Sequence, residues 1–176
     1  MLLFLQADWY LAGLATVYSQ PAGELQLKKD NLLTTIDLGR QWVVSFDFKP
    51  TNYDYNGWTS ILHMTIGSNC CEPGDRTPAI IYKPDKGLYV ATAIGSNPNY
   101  QTYMKPPPPV DQWTTIVVSQ LKTGSSTTFS VKIGDAAPLT KENPAPNEFS
   151  SVKVFASNPW GSAQAGSIRG LTIKTQ

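Results

Sequence analysis

The chain has little with which to bind a transition metal or carry out nucleophilic chemistry. It contains 2 cysteines, adjacent at Cys70 and Cys71, and 1 histidine, His63. Sulfur and imidazole therefore cannot fill a four-ligand zinc shell. A serine or cysteine nucleophile would have to share that one histidine, and no Gly-x-Ser-x-Gly turn is present. Charge is sparse too. Asp, Glu, Lys and Arg make up 15% of the 176 residues, the net charge is +1, and the 14 Lys and Arg are scattered. Nucleic acids and anionic membranes call for a basic stripe, so neither is an expected partner. No apolar run approaches the ~20 residues of a membrane-spanning helix. There is no Asn-x-Ser/Thr acceptor for glycosylation, and helical periodicity is missing beyond residue 20.

What is present suits short strands joined by turns: 14 Pro, 13 Gly, 6 Phe, 5 Trp and 8 Tyr. Trp42, Val44, Phe46 and Phe48 alternate with polar neighbours, which predicts a half-buried strand. Trp58, Ser60, Leu62, Met64 and Ile66 repeat the pattern, and Trp42, Trp58 and Trp113 are expected in the core. His63 then shares the opposite face with Ile61 and Thr65, as a hydrogen-bonded residue without a catalytic role. Pro84-Asp-Lys-Gly87 separates two apolar runs and predicts a hairpin. Phe129, Val131 and Ile133 alternate, as do Val152 and Val154. Parity changes between Ile168 and Leu171, which predicts a β-bulge at Arg169-Gly170. Pro106 to Pro109 cannot join a ladder and should cross between sheets. Roughly nine or ten strands give an all-β, two-sheet antiparallel sandwich.

The apolar start supports two readings. Residues 1–19 are a signal peptide, with Val17 and Ser19 small enough to precede cleavage, or they are an extra N-terminal strand. The first reading lacks a basic leading region, and Asp8 and Trp9 interrupt the apolar stretch. Residues 20–176 are expected to form one domain.

The order of motifs resembles the laminin G-like, concanavalin A-like lectin superfamily over about residues 24–176. The resemblance is carried by Phe46-Asp-Phe-Lys-Pro50, Gly57-Trp-Thr-Ser-Ile-Leu62, Trp113-Thr-Thr-Ile-Val-Val-Ser119, Val131-Lys-Ile-Gly-Asp135 and Gly166-Ser-Ile-Arg-Gly-Leu-Thr-Ile173. It implies a jelly-roll sandwich and a secreted, extracellular lectin-like module of a divergent branch. Many laminin G domains close a disulfide near the last strand; here Ser167 stands before Ile168. The resemblance also implies an acidic calcium ligand in the loop that contains Asp75. Calcium takes six to eight oxygens, and Asn69, Glu72 and backbone carbonyls are the available company. The competing reading makes Asp75-Arg76 an ordinary turn.

Three chemistries compete for Cys70 and Cys71: a vicinal disulfide, a link between chains that would make a homo-oligomer, or free thiols. An extracellular setting favours oxidation, whereas ordinary disulfide geometry wants Cα atoms farther apart. Sugar recognition calls for aromatic faces beside amides and carboxylates. The Thr51-Asn-Tyr-Asp-Tyr-Asn-Gly-Trp58 and Asn158-Pro-Trp-Gly161 loops carry both, and Asn97-Pro-Asn-Tyr100 offers a third element. The candidate ligand residues are Tyr53, Asp54, Tyr55, Asn69, Arg76, Asn158 and Trp160. Tyr53 and Tyr55 have a second reading as caps on the sandwich edge.

Glycoside hydrolases occur in the same superfamily and need two facing carboxylates. None of the 13 acids forms an i, i+2 or i, i+4 pair within a strand. The expected function is therefore carbohydrate binding through rim loops without catalysis, with a glycan or glycoprotein as partner. The alternative is an adhesive matrix domain that binds protein, and a hydrolase is the less favoured third.

Overall fold

The computed structural model describes residues 13–176, so residues 1–12 of the N-terminal segment considered above lie outside it. Fourteen strands form two seven-stranded sheets, and the described residues contain no helix. In the first sheet the order is β1 (Ala15–Ser19), β14 (Gly166–Thr175), β4 (Trp42–Pro50), β9 (Thr114–Thr123), β10 (Ser126–Ile133) and β11 (Leu139–Glu142), with β2 (Glu24–Gln26) also pairing β14. In the second the order is β3 (Leu32–Leu38), β12 (Phe149–Phe155), β5 (Thr59–Thr65), β6 (Ala79–Lys83), β7 (Gly87–Ile94) and β8 (Asn97–Met104). The two-residue β13 (Ser162–Ala163) lies parallel to β5. Every other pairing is antiparallel, which makes a two-sheet antiparallel sandwich. Residues 15–19 are the edge strand β1, in register with Thr172 to Thr175 of β14.

The core lies between the sheets. Trp42, Val44, Phe46 and Phe48 of β4 point into it, with Phe129, Val131, Ile116 and Val118 of the same sheet. Leu62, Met64, Ile80, Leu88, Val90, Val152 and Val154 come from the other. Burying one such large side chain contributes about 1.5–3 kcal/mol, so the alternation in the sequence selects the sheet face. The bulge in β14 falls where parity changes: the register shifts between Arg169 and Thr172, Gly170 has φ 62°, and Ile168, Leu171 and Ile173 all reach the core. The prolines carry the chain from β8 in one sheet to β9 in the other, and the hairpin of β6 and β7 turns at Pro84 to Lys86.

The strand β5 departs from the expected pattern. A register shift between Ser60 and Leu62 means that Trp58 and Ser60 face outward, while Ile61, Leu62 and Met64 pack inward. One extra residue exchanges the faces of everything beyond it. Trp58 is consequently 46% exposed instead of buried in the core. His63 lies on the outward side opposite Ala79, apart from Ile61. Trp113 is also outside the core. It sits half-buried before β9, with Lys49 Nζ 4.6 Å and the Arg169 guanidinium 4.3 Å from its ring centre. The whole of β5 is buried because its outer face is covered, and the covering segments build the site.

Candidate functional site

The outer face of the second sheet carries its own apolar patch. Ala79, Ile81, Tyr89 and Ala91 alternate with the core residues of β6 and β7, and Tyr103 of β8 packs beside them. Two loops and the bulged end of β5 close over this patch and leave a cleft of about 310 Å³. Its walls are Trp58, Thr59, Ser60, Asn69, Arg76, Ile81, Asn158, Trp160 and Gly161. That volume falls at the small end of ligand sites, which run to about 300–1,000 Å³.

Asn158 and His63 hold one wall. The Asn158 backbone N–H donates to Ser60 Oγ at 3.1 Å, and its Oδ1 accepts from the N–H groups of Trp160 (3.1 Å) and Gly161 (2.8 Å). Its Nδ2 donates to His63 Nδ1 at 3.0 Å. His63 must then carry its proton on Nε2, which donates to the Asp75 carbonyl at 2.8 Å. Burial lowers the His63 pKa to about 4, and the Arg76 charge pushes the same way against the hydrogen bond to Asp75, so the ring is neutral near pH 7. Trp160 lies with its ring centre 5.3 Å from that of His63 and remains 41% exposed. Behind it, Gln164 donates to the Asn52 carbonyl at 2.7 Å, and β13 docks along β5.

Arg76 forms the opposite wall and is 9% exposed. Its Nε donates to the Asn69 carbonyl at 2.9 Å, and Nη1 donates to Tyr89 Oη at 2.6 Å and Asn99 Oδ1 at 3.0 Å. Tyr89 is fully buried, and its ring centre is 5.2 Å from that of Trp58 and 5.3 Å from that of Tyr103. Burial raises the Tyr89 pKa, and the phenol stays protonated.

The loop from Ile66 to Pro78 is closed by its own backbone and by Asp75. Asp75 Oδ2 accepts from the Glu72 N–H at 2.9 Å, and the Asp75 N–H donates to the Glu72 carbonyl at 3.1 Å. Asp75 is 4% exposed, so its carboxylate closes a turn. The oxygens expected around a calcium ion are not gathered: the Asn69 carbonyl already faces the Arg76 guanidinium, and no cluster of three His, Cys, Asp or Glu side chains occurs among the described residues. These residues do not fit a calcium shell. In the same loop Cys70 and Cys71 have Cα atoms 3.1 Å apart, with their sulfurs against each other.

Four of the seven residues expected to contact ligand, Asn69, Arg76, Asn158 and Trp160, therefore meet in one cleft. Tyr53, Asp54 and Tyr55 are not among its walls. Tyr53 caps the sandwich edge: its ring centre is 4.3 Å from that of Tyr82, its hydroxyl donates to the Pro108 carbonyl at 2.9 Å, and burial raises its pKa. Tyr55 is 55% exposed. The Asn97 to Tyr100 segment is the start of β8 and no loop; Asn99 orients Arg76, and Tyr100 packs towards Phe129. The wall residues that alternation misplaced are Trp58 and Ser60. The register shift that turns this end of the strand outward lies between Ser60 and Leu62 and has no mark of its own in the sequence.

No protein-family model matches the sequence, and no curated protein matches it. Among solved structures, the chain is similar to a sialidase carbohydrate-binding module, CBM40, of Ruminococcus gnavus bound to α2,3-sialyllactose. The identity is 11%, 92% of each chain is covered, and the TM-score is 0.58. It is similar to the heptameric SAP-like pentraxin of Limulus polyphemus, at 16% identity and TM-score 0.52, covering 85% of this chain and 68% of the other. It also resembles domain 4 of AbnA, an extracellular arabinanase of Geobacillus stearothermophilus, in complex with arabinotriose. There the identity is 20%, the TM-score is 0.51, and coverage is 80% of this chain and 64% of that one. At these identities the likeness establishes the shared sandwich fold.

Proposed function

We propose that the chain is a glycan-binding module without catalytic activity, and that the cleft on the outer face of the second sheet is its binding site. The observation that carries this reading is the pair of part-exposed indoles, Trp58 and Trp160, bordering one cleft with the buried polar groups of Ser60, Asn158 and Arg76. A pyranose presents a C–H face that stacks on an indole and a rim of hydroxyls that needs fixed donors and acceptors. No Asp or Glu is among the wall residues, whereas glycoside hydrolysis needs two carboxylates at the scissile bond. The solved carbohydrate-binding module and arabinanase domain named above were captured with sugars, which favours the same use of the fold here.

In this reading the domain runs from β1 to β14, acts outside the cell, and keeps Cys70 and Cys71 as a disulfide within one chain. The contact between the two sulfurs favours this pairing over a link between chains.

The test is a glycan array followed by calorimetry on the best ligand. Trp58→Ala and Trp160→Ala should each weaken binding by about tenfold, near the loss of one desolvated aromatic contact. Affinity that survives both substitutions would remove the cleft as the site. An array without any bound glycan would remove the function.

A further inference from the structure

Arg76 is a buried cation with no counter-charge among the described residues. Among the described residues the ion pairs are Arg40–Glu148, Lys49–Glu24, Lys83–Asp85 and Arg169–Asp47, and none involves Arg76. The acids nearest in sequence do not pair with it: Asp75 directs its carboxylate at the Glu72 N–H, Glu72 makes no ion pair among the described residues, and Asp85 pairs with Lys83. A guanidinium has five N–H donors. Nε and Nη1 are committed to Asn69, Tyr89 and Asn99, while Nη2 has no protein acceptor among the described residues. Nη2 is also not sealed in, because Ser157 Oγ is the sole sealed side-chain polar atom without a partner among those residues. A charge taken out of water and left unpaired is costly. Here the neutral hydrogen bonds hold the guanidinium rigidly, with one edge free on the wall of a cleft.

A second observation points the same way. Lys83 Nζ lies 5.0 Å from the Trp58 ring centre and Lys86 Nζ 5.4 Å from that of Tyr103. Lys86 has no ion pair among the described residues. The part-exposed rings of Trp58 and Tyr103 thus flank the buried Tyr89, and each has a lysine beside it. Such a surface combines stacking platforms with positive charge.

We infer that the ligand is an anionic glycan whose carboxylate or sulfate seats on the Nη2 edge of Arg76, with its sugar rings on Trp58 and Trp160. This rests on the glycan-binding reading and narrows its ligand class. A carboxylate or sulfate supplies the acceptor and the charge that Nη2 lacks, and charge-assisted hydrogen bonds are roughly twice as strong as neutral ones. Lys86, which has no ion pair among the described residues, would meet the next acidic unit of a chain that reaches Tyr103.

The experiment compares oligogalacturonate with its methyl ester, a sulfated galactan oligosaccharide with its desulfated form, and poly-glutamate, all by calorimetry on the unmodified chain. At least one acidic sugar should bind about tenfold or more tightly than its neutral counterpart. The preference should shrink in ~1 M salt, where the screening length is ~3 Å. Which acid wins, carboxylate or sulfate, identifies the anion. Arg76→Gln should abolish the preference while leaving residual Trp58-dependent binding. If that variant fails to fold, the ester and desulfation comparisons decide without it. Equal affinity for acidic and neutral sugars, still sensitive to Trp58→Ala, would overturn the acidic ligand and leave the glycan reading standing. Absence of binding to any sugar would overturn both. Poly-glutamate binding as tightly as the acidic sugars would show an anion site that is not selective for glycans and would also overturn the inference.

Discussion

Asn158 Nδ2 donates to His63 Nδ1 across 3.0 Å, joining residues 95 apart in the chain beneath Trp160. The bond fixes the tautomer of the ring and the position of the loop above it. It also makes the neutral imidazole a structural component, because a protonated Nδ1 could not accept.

Stability should therefore fall on mild acidification. The folded pKa of His63 is lowered to about 4 from the ordinary 6.5, so the unfolded chain takes up the proton first. The contribution is fully present above pH 6.5 and is lost progressively as pH falls towards 4. Its full size is on the order of 3 kcal/mol. His63 is the only histidine in the chain, so between pH 6.5 and 5 it is the side chain whose ordinary titration range is crossed. Denaturant midpoints across that window should decline, and His63→Gln should flatten the slope; an equal slope in the variant would refute the assignment.

Asn158→Ala should loosen the Trp160 wall while the sandwich survives. The substitution removes the acceptor for the Trp160 and Gly161 N–H groups and the donor to His63. A loss of about 1–3 kcal/mol in stability is expected from the stranded partners. Trp160 fluorescence should shift red as the loop opens, measured in a background where the other tryptophans are Phe; an unchanged spectrum would mean that Asn158 does not hold the loop.

Tyr53→Phe should separate stability from binding. It deletes the hydroxyl that donates to the Pro108 carbonyl but leaves the ring against Tyr82. Melting should show a cost of about 1 kcal/mol, with glycan affinity unchanged. A tenfold loss of affinity would return Tyr53 to the ligand-binding residues.

Chelation should leave binding intact. Asp75 closes a backbone turn and the Asn69 carbonyl faces a guanidinium, so no oxygen shell awaits calcium in this loop. Titrations in EDTA and in millimolar calcium should superimpose, and calcium-dependent affinity would reassign the loop.

Much of the scaffold was legible in the chain. Two-residue alternation placed Trp42 to Phe48 and Phe129 to Ile133 in the core, and the parity change at Arg169-Gly170 marked a real bulge. The wall residues Asn69, Arg76, Asn158 and Trp160 were legible as polar and aromatic groups in loops too rich in Pro, Gly and Asn to be strands. Trp58 was not, because the irregularity between Ser60 and Leu62 has no mark of its own in the sequence. A strand shows its faces by periodicity only while its pairing stays regular.

The sequence by itself determined the class of fold, the inward faces of its regular strands and the kinds of side chain available at its loops, since these depend on local period and turn chemistry. Only the tertiary structure decided that Trp58, Arg76 and Trp160 share a cleft while Tyr53 does not. It also showed that the Arg76 charge is buried without an ion pair among the described residues. Both depend on the sheet order β12-β5-β6-β7, which brings residues some hundred positions apart into contact. Long-range pairing of this kind follows from burying two apolar sheet faces at once, and no local stretch of sequence carries it.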